Sequence, residues 1–193
     1  SNSNGIDNEI EILSAQDLAT QAVIDMKCYV NYYHKGTFKD QLVYKEQEVN
    51  VDLDLAHLKK LNAPIKLKIE KDGNQYLVTG SYYIPVDAFS SQKEPVKIEK
   101  TLASLPASIN TRVGTLHFTQ NGKYALKDGE SLKVIIVSPE MAAKGYTKAL
   151  TVSQTSKTTT IAELVLKDED PQRSIDYLNT LIKVYNRQAN EDK

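Results

Sequence analysis

The chain has 193 residues, with 24 Lys and Arg against 25 Asp and Glu, so its formal charge is −1; 25% is charged and 40% is hydrophobic. That balance belongs to a folded globular chain of one or two domains and excludes wholesale disorder. It also argues against nucleic acid as a partner, because neutralising phosphates needs an excess of Lys and Arg.

Cys28 is the only cysteine, which excludes an internal disulfide, a CxxC redox pair and a zinc site of several thiolates. The longest strongly apolar run, residues 134–137, is far shorter than the about 20 residues of a spanning helix. The chain opens on Ser1-Asn2-Ser3-Asn4 with no basic-then-apolar leader, so it reads as a piece of something longer, with any membrane anchor outside it.

In chain order, Ile6, Ile10, Leu13, Leu18, Ala22, Val23 and Met26 recur at helical spacing, and Ser14-x-x-Asp17 has the form of a capping box. Two short helices are predicted, the second starting at Ser14. From Cys28 the period becomes two: Cys28, Val30 and Tyr32 alternate with Tyr29, Asn31 and Tyr33. Ile65, Leu67 and Ile69 alternate with Lys66, Lys68 and Glu70, and a turn at Asp72-Gly73 returns the chain through residues 76–78, a hairpin pattern. Residues 115–119 and 123–126 around Asn121-Gly122 predict a second hairpin.

Between residues 42 and 100 the strand candidates are interrupted by Pro64, Pro85 and Pro95, a sandwich or jelly-roll texture. The nearly all apolar residues 132–137 predict a strand covered on both faces. Ser138-Pro139-Glu140 then opens a short helix that is expected to stop near Gly145. Residues 148–153 and 158–166 predict two further strands. Asp168-Glu169-Asp170-Pro171 opens a last helix with acids at its N-terminus, where the macrodipole favours them. Its apolar stripe reads Ile175, Leu178, Leu181, Ile182, Tyr185 and Ala189, and with no stop signal through residue 193 it is expected to continue.

Chemical motifs are scarce. No GxxxxGK[ST] loop, GxGxxG or GxSxG elbow occurs, which leaves no nucleotide cradle and no local sign of a hydrolase. His34, His57 and His117 are scattered and none has metal-ligand spacing; they read as surface or strand histidines. Asp52 and Asp54 would share one face of a strand, as acid and base sometimes do in glycoside cleavage, but the plainer reading is the wet face of a half-buried strand. Eleven tyrosines, with pairs at Tyr32-Tyr33 and Tyr82-Tyr83, offer rings for sugars or interfaces; adjacent tyrosines in a strand face opposite sides, so packing takes one of each pair. The acids 168–170 could be calcium ligands, and helix capping explains them without a metal.

The two termini together carry a resemblance. Ile6-Asp7-Asn8-Glu9-Ile10-Glu11-Ile12-Leu13-Ser14 resembles the N-E-I-E-I-L-x-S segment that opens the periplasmic region of bacterial polysaccharide chain-length determinants, the Wzz-like co-polymerases. Asp168-Glu169-Asp170-Pro171-Gln172-Arg173-Ser174, with Leu178-Asn179 and Tyr185, is similar to that family's D-x-D-P-x-x-A-x-x-x-L-N-x-L-x-x-x-Y stretch at the start of its long helix. Ser174 stands where the family has Ala. The match covers residues 6–34 and 130–190 well and the middle poorly. The subgroup most like it carries a cytoplasmic tyrosine-kinase domain, absent here.

The resemblance implies an α+β fold. Residues 1–34 and 130–193 would form a base with a small mixed sheet, N-terminal helices and the start of a long helix, and residues 35–129 a β-rich insertion. It further implies a non-enzymatic role without cofactor: an oligomeric scaffold on the periplasmic side of the inner membrane, anchored by absent segments, in capsular or exopolysaccharide biosynthesis and export. Its partners would be copies of itself, the polymerase or export machinery and, as a further candidate, the glycan. The competing expectation is a carbohydrate-binding or adhesion module built on the β-rich middle.

Overall fold

The computed structural model describes residues 2–157 and 161–191. The fold is α+β, with a long C-terminal helix. It divides into two compact units: Ser1–Cys28 with Pro139–Lys193, and Tyr29–Ser138. Helices α1 (Asn2–Leu13) and α2 (Gln16–Met26) come first. Strands β1 (Val30–His34), β2 (Gln41–Val43) and β3 (Val49–Asp52), the single turn α3 (Leu55–Leu58), and strands β4 (Ile65–Asp72), β5 (Gln75–Tyr82), β6 (Val96–Leu102), β7 (Ala107–Thr111), β8 (Gly114–Gln120) and β9 (Ser131–Ile136) build the middle unit. Then follow α4 (Pro139–Ala149), β10 (Leu150–Gln154), β11 (Ala162–Leu166) and α5 (Pro171–Glu191).

The middle unit is two antiparallel sheets, one of six strands in the order β2-β1-β9-β4-β5-β6 and one of three in the order β3-β8-β7. The alternation that marks β4 puts Ile65, Leu67 and Ile69 on the buried face and Lys66 and Lys68 in water. Register carries this across the sheet: Leu67 stands opposite Val134 of β9 and Gly80 of β5. Val49, Val51, Leu116 and Phe118 supply the buried face of the smaller sheet. Three tyrosines tie the sheets together. The Tyr32 hydroxyl accepts from Val51 N at 2.9 Å, Tyr82 accepts from Arg112 N at 3.0 Å, and Tyr76 accepts from Gln120 Nε2 at 3.4 Å. Each ring fills the core while its polar tip satisfies a donor on the opposing sheet.

The other unit joins both ends of the chain. Leu18, Ala19, Ala22 and Val23 of α2 are buried, as is Ala143 of α4, small residues that let helices approach closely. Gln16 of α2 donates to Glu140 O at 3.0 Å. Strands β10 and β11 form an antiparallel pair from Leu150–Leu166 to Gln154–Ala162.

Several local expectations are overturned. Ser14 does not cap α2: its hydroxyl donates back to Ile10 O at 2.8 Å and closes α1, while Ala15 occupies the N-cap of α2 with no side-chain bond. Residues 123–126 form no strand. β8 pairs instead with β7 and β3, and the Asn121 side chain donates to Gln47 O at 2.8 Å, tying the exit of β8 to the entry of β3. β9 is not covered on both faces, since Lys133 between Leu132 and Val134 is exposed. Helix α4 runs through Gly145 to Ala149, because a glycine inside a packed helix costs only about 1 kcal/mol. Strands β1 and β9, which the resemblance assigns to the base, belong to the middle unit. The start of the predicted strand at residues 158–160 and the chain end at 192–193 lie outside the described residues.

Candidate functional site

The second motif of the resemblance is a folded device. Asp170 accepts the Arg173 backbone N–H at 2.9 Å and so caps α5, with Pro171 in the first turn, where its missing N–H costs nothing. The Arg173 side chain turns back and donates to both Asp168 oxygens, at 2.8 Å from Nε and 2.6 Å from Nη2. The two side chains are 14% and 6% exposed, and this partnership keeps the guanidinium charged against the cost of burial. Asp170 is thus used in capping and Asp168 in pairing, while Glu169 between them is exposed.

Around this clasp lie Tyr146 of α4 and Tyr177 of α5, stacked with ring centroids 4.2 Å apart and planes 17° from parallel. Arg173 sits over the Tyr146 ring at 5.8 Å. Cys28 is buried beside Tyr146, and burial pushes its thiol up to about 11; such a thiol is inert. The first motif meets the second where α1 packs against α5; partial desolvation first, and then the negative charge of Glu9 on α1, raise the pKa of the Tyr185 phenol on α5.

The chemical candidates of the sequence are all accounted for structurally. Strand β3 ends at Asp52, which accepts from the Tyr29 hydroxyl at 2.9 Å. Asp54 is the N-cap of α3: it accepts from His57 N at 3.2 Å and pairs with the His57 ring, which lowers its pKa. The two carboxylates therefore do not share a strand face. His34 bonds Glu48 at 2.6 Å, and His117 bonds Ser108 at 3.0 Å. No group of three or more His, Cys, Asp or Glu that could hold a metal ion occurs among the described residues. Among the tyrosine pairs, Tyr32 and Tyr82 are buried, Tyr33 is half-buried and Tyr83 is exposed, the alternation expected of strands.

Two surfaces remain. The first is on α5, which buries Tyr177, Leu181 and Val184 and leaves Ile175 and Ile182 at 52% and 40% exposure. The stripe read from the sequence is thus rotated. Tyr177 and Val184 lead the inward face, and the two isoleucines, at i and i+7, form an apolar ridge on the outward one. The second surface went unread in the sequence: a depression of about 650 Å³ on the outer face of the six-stranded sheet, lined by Tyr33, Lys35, Lys66, Lys68 and Lys133 among others. Its available signal was the polar alternation at Lys66 and Lys68, but Lys133 joins them only through strand pairing.

No helix among the described residues is long and apolar enough to cross a membrane. No family model matches the sequence, and no curated protein matches it.

Proposed function

We propose that this chain is a periplasmic part of a Wzz-like polysaccharide co-polymerase, a non-catalytic scaffold whose copies assemble side by side in capsular or exopolysaccharide biosynthesis and export. The reading is carried by the meeting of the two end motifs in one unit, where α1, which holds the first, packs against α5, which holds the second. Motifs some 170 residues apart in sequence have no reason to share a contact unless they belong to one architectural element. The outward ridge of Ile175 and Ile182 supports self-assembly, since an apolar stripe at helical spacing that its own unit leaves wet is suited to a like neighbour. The polymerase or exporter is the further partner, and membrane anchorage comes from segments beyond this chain.

The test is genetic. Deleting the gene from its host should shift the length distribution of the surface polysaccharide on a gel. Complementation with Ile175→Asp/Ile182→Asp, two exposed positions at which a variant that keeps the wild-type melting temperature is required, should fail to restore it. An unaltered length distribution in the deletion strain refutes the proposal. A carbohydrate-binding module is the alternative, favoured by the polar depression on the middle unit; it predicts loss of glycan retention with chain length unchanged.

A further inference from the structure

The outer face of the six-stranded sheet carries an arrangement that folding alone disfavours. Lys133 of β9 stands directly opposite Lys68 of β4, and the same row continues to Tyr33 of β1 and Thr79 of β5. Both lysines lie on interior strands of the sheet, and like charges directly opposite each other destabilise a strand pair. The sheet relieves this only by drawing the two ammoniums apart. Lys133 reaches Asp40 at 3.1 Å over the edge of the Tyr33 ring, and Lys68 leans to Glu70 at 3.7 Å. Lys66, one step along β4 and opposite Ser81, and Lys35 make no ion pair among the described residues. The depression of about 650 Å³ thus holds four lysines and two carboxylates in a chain whose overall charge is −1.

We propose that this face binds an acidic polysaccharide, a strand of uronate-bearing sugars lying across β1, β9, β4 and β5. The charge excess is local and calls for an anion. The composition says which kind. Lysines, carboxylates and the hydroxyls of Thr79, Ser81 and Ser131 are residue types that protein interfaces avoid, and Arg and Met, which such interfaces favour, are absent from the lining. Nucleic acid would demand a more extended basic surface. A sugar acid uses every group present: its carboxylates meet Lys66 and Lys68, its hydroxyls meet the Ser and Thr side chains and the free edges of Asp40 and Glu70, and a pyranose face rests on Tyr33. The inference deepens the carbohydrate-binding alternative and does not rest on the co-polymerase reading: the length distribution of the surface polysaccharide tests that reading, and ligand titration tests this face.

The experiment titrates the full 193-residue chain with a short oligogalacturonate by calorimetry, with dextran as the neutral control and polyaspartate as a non-sugar polyanion. Binding to oligogalacturonate alone is expected, and it should weaken with added salt. Lys66→Gln/Lys68→Gln should reduce the affinity about tenfold or more. A second readout separates binding from folding. Lys68→Gln removes the like-charge opposition, so the ligand-free variant should melt at or above the wild-type temperature while binding more weakly. The proposal is overturned if the wild type fails to bind oligogalacturonate, if dextran or polyaspartate binds equally well, or if the lysine variants keep full affinity.

Discussion

Arg173 grips Asp168 five residues before it through two parallel N–H···O bonds of 2.8 and 2.6 Å, and the pair is almost closed to water. The clasp folds the segment before α5 back onto the helix that Asp170 caps. Removing one partner leaves the other charge buried without compensation. Asp168→Asn is expected to cost about 3 kcal/mol, read as a lower urea midpoint. Glu169→Gln, at the exposed residue between them, should leave the midpoint unmoved.

The hydroxyl of Tyr177 is buried and without a hydrogen-bond partner among the described residues, while its ring stacks on Tyr146. The ring stabilises and the hydroxyl does not. Tyr177→Phe should therefore be neutral or stabilising by about 1 kcal/mol, whereas Tyr177→Ala should lose about 3–5 kcal/mol through the cavity it opens. Thermal melts of the two variants check the contrast; a Phe variant less stable by more than about 1 kcal/mol would mean that the hydroxyl has a partner.

Cys28 is raised from 9.0 to about 11 and Tyr32 from 10.0 to about 12, both chiefly by burial. Each keeps its proton in the folded chain at pH values where the unfolded chain has released it. Between pH 9 and 12 unfolding thus releases protons, so stability is intact below pH 9 and falls as pH rises through this window, by about 2–3 kcal/mol for each group. Urea midpoints at pH 7, 9 and 11 should decline in that order, and Cys28→Ala should remove part of the decline between pH 9 and 11.

The same burial governs reactivity. The thiolate is the nucleophile, and Cys28 is both protonated and enclosed at neutral pH. The native chain should fail to react with a thiol-specific disulfide reagent at pH 8 over minutes, and release one equivalent on adding urea. Prompt labelling of the native chain would contradict the placement of Cys28.

Gly114 follows the two-residue loop between β7 and β8 with φ of 118°. A Cβ there would lie 2.7 Å from Leu53 Cδ1 and 2.8 Å from His57 Cγ. Gly114→Ala meets both an unfavourable backbone conformation and an overpacked contact, and should cost about 1–3 kcal/mol. Gly145→Ala, in a helix with nothing near the added methyl group, should instead stabilise by about 0.5–1 kcal/mol. Melting temperatures that move in opposite directions are the expected result.

Features governed by a few neighbouring residues were legible in the amino-acid order. The β4–β5 hairpin follows from alternation and a turn at Gly73-Asn74, one residue beyond the expected centre. The start of α5 follows from Asp170 and Pro171, and the α+β class from the change of period near Cys28. Capping, turn geometry and periodicity act within one or two turns of chain, so sequence determines them directly. The choice of partners did not. Whether residues 115–119 pair forward with 123–126 or back with 107–111 depends on which pairing buries Leu116 and Phe118 against the other sheet. β9 lies between β1 and β4, both far back along the chain, only because Leu132, Val134 and Ile136 complete that sheet's buried face.

 The rotation of α5, which turns Tyr177 inward and Ile175 outward, and the row that sets Lys68 beside Lys133, are likewise products of tertiary packing. Long-range burial selects among locally equivalent pairings, and its free energy exists only once distant segments meet.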